Sequence, residues 1–301
     1  MITSIKTTNH LNESLTLELL SPEESGFIVL RIDGLGPVKA EISLTERAGV
    51  DGSLYNSGRA TSRNVVLALR FYPGQDIEAL RQETYRYFPL NRPIEIEVVA
   101  THRTVKSIAF VEANEPDIFS KEEGCVITLV FPDSYLYDSL TSVTTFSSKI
   151  PIFQFPWSNE STDDPLLVMS EIALVASKIV NYEGDVSVGL LLHVHATGSA
   201  SEFSLTDADT LEALEIDSTR LTAITGADIT IGDDIWISTV KGNKYAIIIR
   251  SGTEWNILSC LGTNPPWFQL DKGDNIFVAD ADTGLANLQL AIYNETAFEG
   301  V

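Results

Sequence analysis

The order of apolar and polar residues predicts a chain built mainly from short strands. In the first half, Leu15 to Leu20, Phe27 to Ile32, Val38 to Leu44, Asn64 to Tyr72, Ile94 to Thr101, Thr104 to Val111 and Cys125 to Phe131 alternate or run in β-branched and aromatic residues, as strands with one or both faces buried do. Turn chemistry separates them at Asp33-Gly34, Asp51-Gly52, Asn56-Ser57-Gly58 and Pro73-Gly74. One segment breaks the pattern. Gln75 to Phe88 carries Ile77, Leu80 and Phe88 at helical spacing, with Asp76 and Glu78 at the start, Arg81 and Arg86 later, and Pro89 to end it. A single helix is expected there.

The second half continues in strands at Val186 to Ala196, Ile229 to Thr239, Lys244 to Arg250, Asn275 to Ala279 and Leu288 to Tyr293, divided by Gly, Asn and Asp. Leu166 to Val180 is ambiguous, because its Leu, Met and Ala favour helix while its surroundings favour strand. No repeat at a solenoid or propeller period is visible. Between Tyr137 and Asp164, Ser and Thr cluster, and Pro151, Pro156 and Pro165 follow closely, which suits an extended connection. A domain boundary is expected there, giving residues 1–138 and 139–301.

Charge sharpens that division. Residues 1–140 hold 13 basic and 20 acidic side chains, and residues 141–301 hold 7 and 22, within a chain of net charge −22. At 301 residues, two domains of roughly 150 each bury cores of ordinary size. So acidic a chain does not fit DNA, RNA or anionic membrane as a partner, since phosphate binding rests on Lys and Arg displacing counterions. Two cysteines, Cys125 and Cys260, make no disulfide framework and no Cys-x-x-Cys motif, and read as small buried apolar groups. The start, Met1-Ile2-Thr3-Ser4-Ile5-Lys6, lacks the pattern of a signal peptide. The most apolar segment, Leu166 to Val180, is interrupted by Ser170, Glu171 and Lys178 and falls short of the roughly 20 apolar residues a membrane helix needs.

Candidate chemistry is sparse. His193 and His195 share one face of a strand, but no third metal ligand stands at a recognisable spacing. Asp207, Asp209 and Glu212, like Asp280, Asp282 and Gly284, lack the ligand alternation of a calcium loop and read as turn acids. There is no nucleophile elbow, phosphate-binding glycine loop or HExxH zinc motif, and no cofactor is expected. A glycosidase carboxylate pair has no sequence signature, so a wall-degrading hydrolase ranks last. The four tryptophans, Trp157, Trp236, Trp255 and Trp267, all lie in the second half. Sheet packing explains them, and so would stacking on sugar rings, with Trp236, Trp255 and Trp267 as candidate saccharide contacts.

One local reversal of charge stands out. From Arg47 to Arg92 the chain carries seven arginines (Arg47, Arg59, Arg63, Arg70, Arg81, Arg86 and Arg92) against Asp51, Asp76, Glu78 and Glu83, a net +3. Opposite charges on one molecule suit head-to-tail assembly, and these arginines are candidate interface residues. Ordinary solvated arginines read equally well.

Two stretches resemble a known family. Asp51-Gly52-Ser53-Leu54-Tyr55-Asn56-Ser57-Gly58-Arg59, then Arg63-Asn64 before a strand and the helix, and later Phe131-Pro132-Asp133-Ser134-Tyr135-Leu136-Tyr137-Asp138, resemble the first domain of siphophage distal tail proteins. Asn181-Tyr182-Glu183-Gly184-Asp185, Gly232-Asp233-Asp234-Ile235-Trp236-Ile237-Ser238-Thr239 with Lys241-Gly242-Asn243-Lys244, Leu270-Asp271-Lys272-Gly273-Asp274-Asn275, and the ending from Tyr293 to Val301 look like its second domain. The resemblance implies a mainly β, non-enzymatic structural protein. Its first domain would be a β-barrel with one helix, ring-forming and hexameric. Its second would be a galectin-like or carbohydrate-module-like β-sandwich outside the ring. Leu166 to Val180 would then be strand. The implied place is the distal end of the virion tail, between the tail tube protein and a hub or fibre protein, with DNA passing through the lumen unread. The rival reading is a carbohydrate-binding module that recognises the host surface through the sandwich.

Overall fold

The computed structural model describes residues 1–49, 51–117, 123–151, 170–262 and 264–301. Trp157, Pro156, Pro165 and the first four residues of Leu166 to Val180 lie outside them. The chain is mainly β, as its patterning predicts. It forms two compact units, Met1–Leu140 with Ala297–Val301, and Thr141–Thr296. The return of the last five residues to the first unit has no counterpart in the sequence reading.

Among the described residues the first unit contains ten strands: β1 (Ile2–Thr8), β2 (Ser14–Glu18), β3 (Phe27–Asp33), β4 (Ala40–Glu46), β5 (Ser53–Ala60), β6 (Arg63–Phe71), β7 (Pro93–Ala100), β8 (Thr104–Asp117), β9 (Gly124–Phe131) and β10 (Leu136–Thr145), the last running on into the second unit. Seven of them form one antiparallel path, β2-β1-β7-β8-β9-β6-β3. β10 joins β8 through Tyr137 opposite Lys106 and Asp138 opposite Val105. A one-turn helix, α1 (Pro22–Ser25), links β2 to β3. Alternation decides which side of each strand is buried. On β6 the inward row is Arg63, Val65, Leu67, Leu69 and Phe71, which meets Ile127, Leu129 and Phe131 of β9 in one core.

The expected helix is α2 (Ile77–Tyr87). The Asp76 side chain accepts hydrogen bonds from the Glu78 and Ala79 amides at 3.0 and 3.2 Å, an N-cap that stabilises the first turn by about 1 kcal/mol. Leu80 and Phe88 are buried, whereas Ile77 is exposed. The backbone of Phe88 closes the last turn by donating to the Thr84 carbonyl, and Pro89 prevents continuation.

The second unit is a sandwich. One sheet orders strands Ser177–Tyr182, Gly273–Asp280, Ser204–Asp207 and Ala213–Glu215. The other carries Leu288–Phe298 (of which 288–296 belong to this unit), Leu191–Ala196, Asp234–Ser238, Tyr245–Arg250 and Thr253–Asn256 in that order. Inward residues of both sheets, among them Val180, Phe277 and Leu205 from one and Val194, Ile235 and Ile248 from the other, make its core. Residues 170–174 and 177–182 are strands, which resolves the described part of the ambiguous segment against helix. A helix that the apolar pattern did not disclose, α3 (Ser218–Thr225), is capped by Asp217 and stops at Gly226, whose φ of 83° suits glycine.

Candidate assembly interface

Among the described residues β4 and β5 pair only with each other, so the hairpin they form stands apart from the main sheet. Asn56-Ser57-Gly58, read from sequence as a turn, lies inside β5. The pairing steps from Ser43 opposite Ser57 to Leu44 opposite Tyr55, leaving Asn56 as the extra residue of a bulge. That bulge keeps the two strands in phase. Ala40, Ile42 and Leu44 lie on the same face as Ala60, Gly58 and Tyr55, and Glu41, Ser43 and Thr45 lie on the other.

The hairpin is therefore largely amphipathic, with Leu54 opposite Thr45 on the polar face and Glu46 opposite Ser53 at the end of the apolar one as exceptions. Its polar face is closed by its own side chains: Arg59 pairs with Glu41 at 2.7 Å, and the Asn56 amide donates to Thr45 Oγ1 at 2.6 Å. Its apolar face covers little of the rest of the chain, for Ile42 and Leu44 are each 58% exposed and Tyr55 is 61% exposed. The Tyr55 ring lies over Gly58, where any Cβ would meet its hydroxyl at 2.8 Å. Isolated exposed leucines are ordinary, but an apolar face on a two-edged hairpin is a candidate surface for another chain. At its base a groove of about 340 Å³ runs between Val38, Ile42 and Tyr55 on one side and Ser134, Tyr135 and Glu299 on the other.

Arginines expected at an interface fall into different roles. Arg63 is buried and turns inward, its relative exposure being 1%. Its two terminal nitrogens donate to the carbonyls of Gly34 (2.7 Å), Gly36 (2.6 Å), Ser134 (3.0 Å) and Glu299 (2.6 Å). Burial lowers its pKa, with nearby Asp133 acting in the opposite direction. Alternation along β6 puts Arg63 on the same inward row as Val65, Leu67 and Leu69, so its guanidinium binds carbonyls of its own chain and is not presented on the surface. Arg81 pairs with Glu78 on α2, and Arg86 pairs with Glu13, holding that carboxylate at about 2 mainly through their hydrogen bonds. Arg59 is largely exposed on the hairpin, Arg47 and Arg92 are exposed, and Arg70 is half-buried. The structure thus does not gather the seven arginines into one patch. Ile42, Leu44 and Tyr55 join the candidates only through the structure, because alternation shows that a face is apolar without showing whether its own chain covers it.

In the second unit the described tryptophans Trp236 and Trp255 do not share one face. Trp236 pairs with Ile247, whereas Trp255 pairs with the buried Ile248, so the two lie on opposite faces of the sheet. Trp267 packs on the core, under the Lys244 ammonium at 4.8 Å from its ring centre. His193 stacks on Trp236 with ring centres 3.9 Å apart, and both His193 Nε2 and His195 Nδ1 lie within hydrogen-bond distance of Asp234 Oδ1. Burial raises the Asp234 pKa, but the two imidazole contacts outweigh it and the net shift is downward. Among the described residues no group of three or more His, Cys, Asp and Glu side chains is arranged to hold a metal ion. No described helix is long and apolar enough to cross a membrane.

Among solved structures, the crystal structure of the SPP1 Dit protein matches with a TM-score of 0.64 at 11% identity, covering 97% of this chain and 98% of that one. The chain has the Dit fold. That protein is described as a paradigm of the hub adsorption apparatus in phages infecting Gram-positive bacteria. The Dit fold agrees with the resemblance to distal tail proteins read from residues 51–138 and 181–301. A phage P2 baseplate structure, in its activated conformation with calcium, aligns over 98% of both chains at 8% identity with a TM-score of 0.47. No protein-family model matches the sequence, and no curated protein matches it.

Proposed function

We propose that this chain is a structural, non-enzymatic component of a phage tail tip, a distal tail protein whose first unit self-associates into a ring. The single observation that carries the reading is the hairpin Ala40–Ala60, which leaves Ile42, Leu44 and Tyr55 largely uncovered by the described residues of its own chain. A second copy is the economical occupant, because head-to-tail contacts that close give a ring and bury the hairpin of every member. The resemblance of residues 51–138 and 181–301 to distal tail proteins implies six copies, with the tail tube protein on one side of the ring and a hub or fibre protein on the other. The acidic sandwich of residues 141–296 would stand as the outer part, its negative charge keeping unassembled chains soluble. The place of action is then the distal end of the virion tail.

Electron microscopy of the purified chain, alone and with its tail tube protein, tests this reading. Closed rings with six-fold symmetry are the expected outcome. A chain that remains monomeric in both preparations contradicts it.

A further inference from the structure

The hairpin is joined to the first unit by two short limbs, Gly34–Lys39 entering and Thr61–Ser62 leaving. The limbs are bonded to each other, with the Lys39 carbonyl accepting from the Thr61 amide and hydroxyl, and each is tied to another piece of chain. On the entering limb, the carbonyls of Gly34 and Gly36 accept from Arg63, and the Leu35 carbonyl accepts from the Val301 amide at 3.1 Å. On the leaving limb, the Thr61 carbonyl accepts from the Ser134 hydroxyl at 2.7 Å. Arg63 completes the set by holding the Ser134 and Glu299 carbonyls with its other nitrogen. The tail segment is anchored in turn. Phe298 lies in the core with the Arg103 guanidinium 4.3 Å from its ring centre, and Gly300 runs so close to the entering limb that a Cβ there would meet the Leu35 oxygen at 2.9 Å and Gly36 Cα at 3.1 Å.

We infer that Arg63 and the segment Phe298–Val301 form a latch that fixes the angle of the hairpin, so that residues placed away from its apolar face decide whether that face can meet another copy. The inference rests on the proposed role of the hairpin in self-association. Leverage makes the root decisive. Seven residues of strand extend about 23 Å, so a tilt of roughly 12° at the limbs moves the tip by about 5 Å, one full strand spacing. Arg63 suits this work because its planar fork addresses several carbonyls at once, which an ammonium cannot reproduce. It is a positioning residue, and the groove between Tyr55 and Ser134 keeps its width through it.

The test measures the hairpin angle and assembly separately. Spin labels at Ser53→Cys on the hairpin and Gln82→Cys on α2, both exposed positions, give one distance; Cys125 and Cys260 are buried. The distance is read in full-length chain carrying Ile42→Ser and Leu44→Ser, so that assembly does not enter it. A single narrow distribution is expected, becoming at least twofold broader or displaced by several ångströms with Gly300→Val and with Arg63→Lys. An unchanged distribution in both overturns the latch. If Gly300→Val fails to fold, removal of Gly300 and Val301 serves instead, since it leaves Phe298 and Glu299 in place. With the native hairpin face restored, a broadened distribution accompanied by loss of assembly supports the inference, and full assembly despite broadening overturns it. If the unaltered chain never assembles, the self-association reading fails while the distance still decides the latch.

Discussion

The Arg63 guanidinium donates to the Glu299 carbonyl at 2.6 Å across 236 positions of sequence. It joins the beginning of a central strand to the last residues of the chain, and the same nitrogen also holds Ser134. Three more of its bonds are to backbone carbonyls, so the interaction depends on the path of the chain more than on the identity of its partners.

Replacing Arg63 with Ala is expected to lower the stability of the first unit by about 3 kcal/mol or more, since each hydrogen bond from a charged group contributes about 1.5–3 kcal/mol and buried carbonyls would lose their donor. Arg63→Lys should recover little of it. Urea denaturation followed by a first-unit probe measures both, and a change below about 1 kcal/mol for Ala would show the four bonds to be dispensable.

A comparable arrangement holds the second unit. Arg250 makes two bonds to the buried carboxylate of Asp233, at 2.8 and 2.6 Å, and also reaches the Asp228 carbonyl at 2.7 Å. Arg250→Met should cost about 3–5 kcal/mol, because it strands a buried carboxylate. Adding Asp233→Asn should restore part of that loss. A double variant as unstable as the sum of its singles would show the pair to be uncoupled.

Acid should weaken the tie between the β1–β2 turn and α2. Glu13 lies near 2 against an ordinary 4.5, held down by its bonds from Arg86 and Asn9. A lowered carboxylate pKa means that its stabilising contribution is present above about 4.5 and is lost as pH falls through about 2. Titration of the Glu13 carboxyl by NMR should show the low value in the unaltered chain. In Arg86→Gln it should return toward the ordinary range, and no change there would remove Arg86 as the cause.

Fold class was legible in sequence because alternation is a local consequence of strand geometry. Seven strand segments of the first half and the helix bounded by Asp76 and Pro89 appear in the structure, all within a few residues of expectation except β8, which runs six residues past Val111 to Asp117. The β5 strand was obscured by Asn56-Ser57-Gly58, whose turn chemistry serves a bulge instead. α3 was hidden because its eight residues bury one side chain, Leu221, too few to set a period. The candidate interface was less visible. Charge marks Arg63 as a candidate, whereas alternation along β6 places it on the inward row with Val65 and Leu67, and the two local signals point in different directions. The exposure of Ile42 and Leu44 depends on tertiary structure, and no local pattern carries it.

The central claim is that the apolar face of the hairpin mediates self-association. Native mass by light scattering after size exclusion tests it most directly, comparing the unaltered chain with Ile42→Ser/Leu44→Ser over a range of concentrations. The unaltered chain of 33.0 kDa is expected to give a particle of about 198 kDa, a closed ring of six, and the double variant a monomer with an unchanged melting temperature. Equal masses for the two proteins at every concentration would contradict the claim.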